Sequence, residues 1–161
     1  MRQLFILVTA LVLSSNAPAE ALDPGTVVSV RLERTACLGT CPQYSLVASR
    51  DGTLSYRGTE HVKTRGERVG AIAQKSFSQI EAAVAQVKFL SFKDSYVSKE
   101  DGCTEVWTDQ PSVKITLQLI SGEKSVFHYM GCQGLAETNR IDWLANAIDE
   151  LAQSSQWVGS R

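Results

Sequence analysis

The 161-residue chain lacks an excess of charge of either sign, with 16 Lys and Arg against 17 Asp and Glu and a net charge of −1 at pH 7. Nucleic-acid-binding proteins usually carry a basic patch or stripe, because binding neutralises phosphates. The charges here are scattered, so nucleic acid is not an expected partner. Strong attraction to an anionic membrane surface is not expected either.

Long hydrophobic runs are also lacking, apart from Leu4–Leu13 near the start of the chain. That run is shorter than the roughly twenty residues that a membrane-spanning helix needs. It follows the basic Arg2 and precedes small residues that fit a cleavage site ending at Ala19 or at Ala21. This pattern predicts a cleavable signal peptide over residues 1–21. We therefore expect a periplasmic or secreted product with no membrane span after cleavage and no cysteine placed to carry a lipid anchor.

Recognisable catalytic signatures are absent, and only two histidines occur. The chain has no Gly-x-Ser-x-Gly elbow, His-Glu-x-x-His motif, P-loop or dinucleotide fingerprint. No cofactor or metal is predicted. The lack of a catalytic motif favours a protein that is not an enzyme. Asp109 lies in a Thr-Asp-Gln-Pro segment that is typical of a turn leading into a strand, although it could instead pair with Arg34. A small hydrolase would require Asp109 within hydrogen-bond reach of His128.

The four cysteines are an even number, which in an exported protein is typical of disulfides. Three pairings are possible; we favour Cys37–Cys41 and Cys103–Cys132, because the first pair is close in sequence and contains the flexible Gly39. The second bond would close a loop of about thirty residues, worth on the order of 3 kcal/mol. A redox-active Cys37/Cys41 dithiol is an alternative, although the spacing is not Cys-x-x-Cys and a strand follows. A four-cysteine zinc site lacks the paired Cys-x-x-Cys knuckles typical of such sites.

Alternation of apolar and polar residues predicts strands that form two hairpins. Asp51-Gly52 is a strong turn signal for the first hairpin, and Ser121-Gly122 marks the second. A two-residue turn there pairs Ile115 with His128 on the apolar face, whereas a three-residue turn places His128 on the other face. An extra edge strand is predicted near Glu60–Thr64.

Helical spacing of apolar residues predicts two amphipathic helices. The first runs to Lys88 and is opened by a capping box of Ser76 with Gln79, and the second covers about Leu135 to Gln153. Together these elements predict an α+β fold: an antiparallel sheet in β-β-β-α-β-β-α order with both helices packed on one face. We expect a leader over 22–26, one domain over 27–153 and a C-terminal tail over 154–161.

The segment Arg34–Tyr44 resembles the hallmark Arg-x-x-Cys-Phe-Gly-x-Cys-Pro-x-Tyr of the bacterial family called domain of unknown function 6438. Leu38 replaces the usual Phe of that hallmark. The resemblance covers roughly Val27–Leu151 and implies one exported domain, with no activity that carries over. The other matching positions are Cys37, Gly39, Cys41, Pro42, Asp51, Gly52, Tyr56, Thr108, Asp109, Pro111, His128 and Tyr129.

The leading hypothesis is a non-enzymatic extracytoplasmic binding module with a structural disulfide loop. Loops held by a rigid scaffold are common recognition sites, so we expect the surface to lie on the Cys37–Cys41 loop and on the polar Asp94–Pro111 loop. The partner would be an extracytoplasmic protein or a small ligand. Besides the cysteines, the candidate residues are Arg34, Gly39, Pro42, Tyr44, Asp109 and His128.

Overall fold

The computed structural model describes residues 26–159. The predicted signal peptide and nearly all of the predicted leader lie outside the described residues. Within 26–159, no helix has the length and apolar character needed to cross a membrane.

The described residues run from an antiparallel meander to C-terminal helices. The strands are β1 (Val27–Arg34), β2 (Gln43–Ser49), β3 (Thr53–Glu60), β4 (Gly66–Ala71), β5 (Ser95–Tyr96), β6 (Glu105–Val106), β7 (Ser112–Leu119), β8 (Gly122–Tyr129) and β9 (Cys132–Gln133). The helices are α1 (Gln74–Gln86), α2 (Ala136–Leu151) and the short α3 (Ser155–Val158), with 3-10 turns at Phe89–Ser91 and Lys99–Asp101.

Seven strands form one sheet in the order β4-β3-β2-β1-β7-β8-β5. All neighbours are antiparallel except the two-residue β5, which runs parallel to β8. Arg34, at the end of β1, pairs with Tyr44 of β2 on one side and with Val113 of β7 on the other. The loop between β1 and β2 therefore lies at the same end of the sheet as the start of β7 and the end of β8.

Both long helices cover the same face of the sheet, as the sequence predicts. Strand positions alternate between this face and solvent, and in β1 the buried Val30 and Leu32 flank the exposed Arg31. The helices contribute apolar stripes at helical spacing to one continuous core. Its central members are Leu32, Leu46, Leu54, Phe77, Ile80, Val84, Ile115, Leu117, Ile141, Leu144 and Ile148.

Three local predictions differ from the structure. Helix α1 begins at Gln74, and its N-cap residue is Ala73, which makes no side-chain hydrogen bond. Ser76 therefore lies inside the helix, and the predicted Ser76 capping box was wrong. The edge strand β4 lies after the predicted 60–64 segment, where His61 takes a left-handed backbone with φ 53°. The β7–β8 register pairs Leu119 with Gly122, which leaves a two-residue turn one position earlier than predicted.

The predicted C-terminal tail is part of the packed domain through residue 159. Trp157 stacks on Tyr56 with ring centroids 5.0 Å apart. Its ring also lies against Gly70, where a Cβ would come within 3.1 Å of it. Ser154 and Val158 are buried. A Cβ at position 70 would therefore require a small shift of the Trp157 ring.

Candidate functional site

Two disulfides hold the loops at the Arg34 end of the sheet, and we call residues 35–42, 103–111 and 130–134 the disulfide corner. The structure joins Cys37 to Cys41, with Cα atoms 5.6 Å apart. The backbone N–H of Leu38 donates to the carbonyl of Asp109 at 3.1 Å, and the N–H of Thr35 donates to the carbonyl of Ser112 at 3.1 Å. The Cys37–Cys41 loop is thus tied to the segment that precedes β7.

The second disulfide holds the other side of the corner. Cys103 and Cys132 have Cα atoms 5.2 Å apart, and both are buried. Next to them, the N–H of Trp107 donates to the carbonyl of Gly131 at 2.9 Å. The hydroxyl of Tyr129 donates to the carbonyl of Trp107 at 2.8 Å. The backbone that carries Trp107 is therefore fixed from two sides.

Both bonds follow the pairing that the sequence favours, and none of the four cysteines is free. Zinc requires thiolate ligands, so a four-cysteine site is incompatible with this pairing. Across residues 26–159, no three His, Cys, Asp or Glu side chains are grouped as a metal site requires.

Leu38 and Trp107 are the most exposed of the large apolar side chains that project from this fixed backbone, ahead of Val106 at 39%. Leu38 is 81% exposed and Trp107 is 53% exposed. The indole N–H of Trp107 donates to a carboxylate oxygen of Glu105 at 2.9 Å, which fixes the edge of the ring. Gly39 and Asp109 are also exposed and take positive φ values of 141° and 66°. Pro42 is half-buried beside them.

Two other residues of the motif point inward and bind helix α2. Asp149 is 5% exposed; its carboxylate accepts from Arg34 Nε at 3.0 Å, from the Tyr44 hydroxyl at 2.6 Å and from the Ser154 hydroxyl at 2.6 Å. We call these four residues the Asp149 network. Buried carboxylates are stabilised by such pairing and hydrogen bonding. The candidates Arg34 and Tyr44 therefore attach α2 to the sheet.

His128 is also turned into the core, with 1% of its surface exposed. Its Nδ1 lies 2.9 Å from an Asp142 carboxylate oxygen, so α2 supplies its partner, whereas the hydrolase alternative requires Asp109 there. Among the described residues its Nε2 has no hydrogen-bond partner. The β7–β8 register places His128 opposite Val113 on the apolar face. This is the face predicted for a two-residue turn, with a different cross-strand partner.

Replacing His128 with Leu is expected to change the free energy of unfolding by less than about 1 kcal/mol. The substitution removes an unpartnered buried nitrogen and conserves volume, while Asp142 is 31% exposed and remains hydrated. His128→Ala is the matched control and should lose about 2–4 kcal/mol through the cavity it leaves. Urea denaturation measures both. Equal losses for the two variants would show that the Asp142 contact stabilises the fold.

An acidic residue organises the loop that enters the corner. Asp101 accepts the backbone N–H groups of Val97 at 2.8 Å and of Ser98 at 3.1 Å. These hydrogen bonds, that from Val97 most strongly, hold the pKa of Asp101 below its usual value. The turn leads directly to Cys103, so it positions the start of the second disulfide.

A family model described as "Domain of unknown function (DUF6438)" matches residues 28–152. The chain belongs to this family. No curated protein matches the chain. The family resemblance of the sequence is therefore confirmed over nearly the whole described domain.

The DUF6438 motif residues fall into two groups in this structure. Arg34 and Tyr44 belong to the Asp149 network, and Cys37 and Cys41 close the loop between β1 and β2. The loop itself presents Leu38 to solvent. Asp142 and Asp149 are not predicted from the sequence as site residues. Both lie on α2, and the apolar stripe of that helix, which predicts packing on the sheet, is the signal that could have pointed to them.

Proposed function

We propose that this DUF6438 domain is an exported, non-enzymatic binding module whose disulfide corner recognises an extracytoplasmic protein or small ligand. The observation that carries the proposal is the exposure of Leu38 and Trp107 on a backbone fixed by two disulfides. Exposed apolar and aromatic side chains are the usual anchors of protein interfaces.

The rigidity of the corner supports binding by a preformed surface. Ordering a loop during association costs free energy, and a surface that is already ordered avoids that cost. Here the contact between Leu38 N–H and the Asp109 carbonyl joins the two loops directly. The disulfides also support an oxidising compartment, which agrees with a periplasmic or secreted location.

The redox alternative finds less support. Reactive thiols are activated at helix N-termini or beside cations. Cys41 is followed by strand β2, and within the described chain neither Cys37 nor Cys41 begins a helix. We therefore treat both disulfides as scaffold in the proposal.

The test compares apolar side chains of the corner with equally exposed ones elsewhere. Leu38→Ser and Trp107→Ser should each reduce capture of an envelope partner by the immobilised mature protein about thirtyfold or more, because truncating an interface anchor costs about 2 kcal/mol or more and about 1.4 kcal/mol is a factor of ten. Thermal stability should be unchanged. Quantitative mass spectrometry of the captured proteins provides the readout.

The matched controls are Trp143→Ser, at a tryptophan that is 46% exposed, and Val69→Ser, at a valine that is 78% exposed on edge strand β4. Neither residue lies in the disulfide corner. Corner variants that capture the partner as well as the wild type would refute the proposal. So would equal losses in the control variants.

A further inference from the structure

We infer that the disulfide corner binds a basic segment of a polypeptide, with a Lys or Arg side chain stacked on the Trp107 ring. This inference rests on the proposed function and specifies the chemistry of the partner. It follows from the sign of the charge around an exposed aromatic ring and from the way that ring is held.

The charge of the corner has one sign. Residues 35–42, 103–111 and 130–134 include no Lys and no Arg, whereas Glu105 and Asp109 both lie there and are exposed. Complementary potentials determine which partners an interface accepts. By contrast, the depression on the open face of the sheet is lined by three arginines and one acid, so its net charge is positive and does not suit a basic segment; these residues are Arg31, Arg57, Arg68 and Glu67.

Trp107 is suited to a cationic group. Tryptophan gives the strongest cation–π contacts of the aromatic side chains, because the face of its ring is electron-rich. Its N–H donates to the Glu105 carboxylate at 2.9 Å, and hydrogen bonds to a charged acceptor polarise the donor toward greater electron density. The same bond holds the ring in one orientation while 53% of the residue stays exposed.

Leu38 and Asp109 lie in the same corner as Trp107, and their side chains suit the rest of a basic side chain. Lys and Arg have apolar stems that cover apolar surface while the charged head remains hydrated or paired. Leu38 offers such a surface, since it is 81% exposed and its N–H is bonded to the Asp109 carbonyl. The exposed Asp109 carboxylate is available to pair with the charged head, with the Thr108 hydroxyl as its neighbour at 3.0 Å.

The experiment follows the indole N–H signals of the ¹⁵N-labelled mature protein by NMR. The Trp107 signal is assigned by its loss in Trp107→Phe, and the Trp143 signal serves as the internal control. The probes are three capped peptides, Gly-Arg-Gly-Arg-Gly and its Gln and Glu counterparts, together with spermidine. The Arg peptide should shift the Trp107 signal in a saturable manner and leave the Trp143 signal in place.

Two variants and added salt test the role of charge. Glu105→Gln and Asp109→Asn should each raise the Kd of the Arg peptide about threefold or more. For the wild-type protein, 0.5 M NaCl should also raise this Kd, because salt screens exposed charges. Glu150→Gln, at an exposed acid on α2 outside the corner, should leave the Kd unchanged.

Different outcomes would contradict the inference and the proposed function. No Trp107 shift with the Arg peptide, or an equal shift with the Gln or Glu peptide, would overturn the inference. Spermidine binding as tightly as the Arg peptide would overturn the assignment to a polypeptide. If envelope capture still depends on Leu38 and Trp107 in those cases, the proposed function stands and only the inference fails. If envelope capture does not depend on Leu38 and Trp107, the proposed function itself fails.

Discussion

Replacing Asp149 with Ala is expected to lower the free energy of unfolding by about 3–5 kcal/mol, the cost typical of breaking a buried ion pair by removing one partner. The variant leaves the Arg34 guanidinium, which is 13% exposed, without its counter-charge. It also removes the carboxylate oxygen that accepts from the buried Tyr44 hydroxyl at 2.6 Å. Urea denaturation of the mature domain, followed by circular dichroism, measures the difference.

Glu150→Ala is the control, since Glu150 is the adjacent acid on the same helix and is exposed. It should change the free energy of unfolding by no more than about 0.5 kcal/mol, as is usual for surface positions. Arg34→Met combined with Asp149→Leu should cost much less than Asp149→Ala alone, because no buried charge remains unpaired. Similar losses for Asp149→Ala and Glu150→Ala would contradict the structural role assigned to the network.

Removing the Cys103–Cys132 disulfide by a double change to Ala is expected to cost about 3.5 kcal/mol, because the bond closes the longer loop in the unfolded chain. The sequence separation is 29 residues for this pair and 4 for Cys37–Cys41. The same entropy model gives about 2 kcal/mol for the Cys37–Cys41 pair. Both double variants are compared with the wild type by urea denaturation under oxidising conditions.

The two disulfides should also differ in their effect on packing. Cys103 and Cys132 are 4% and 1% exposed, so truncating their side chains adds a packing loss. Cys37 and Cys41 are only half-buried. A larger loss for the Cys37/Cys41 double variant would contradict this account of the scaffold.

Much of the architecture follows from residue periodicity. The alternation in β1, β2, β3, β7 and β8 predicts five strands of the sheet, and the apolar stripes of α1 and α2 predict which helix faces are buried. The two-residue strands β5, β6 and β9 are too short to show a period. Their place is set by contacts distant in sequence, including the Cys103–Cys132 bond.

The candidate site was predicted less completely. The position of the disulfide loop could be read from the cysteine spacing, whereas the inward direction of Arg34 and Tyr44 depends on Asp149, over a hundred residues later in sequence. Sequence spacing alone gives no register between a helix and a sheet. For His128, a two-residue turn one position earlier, followed by Gly122 at φ 145°, set the register and hence its cross-strand partner.

The central claim is that the disulfide corner contacts the partner, and position-specific photo-crosslinking tests it most directly. A benzophenone side chain placed at Leu38 should crosslink one defined envelope polypeptide after export and irradiation. The same group at Val69 or Ile120, which are 78% and 76% exposed away from the corner, should give no such product. Crosslinking from Val69 or Ile120 but not from Leu38 would contradict the account.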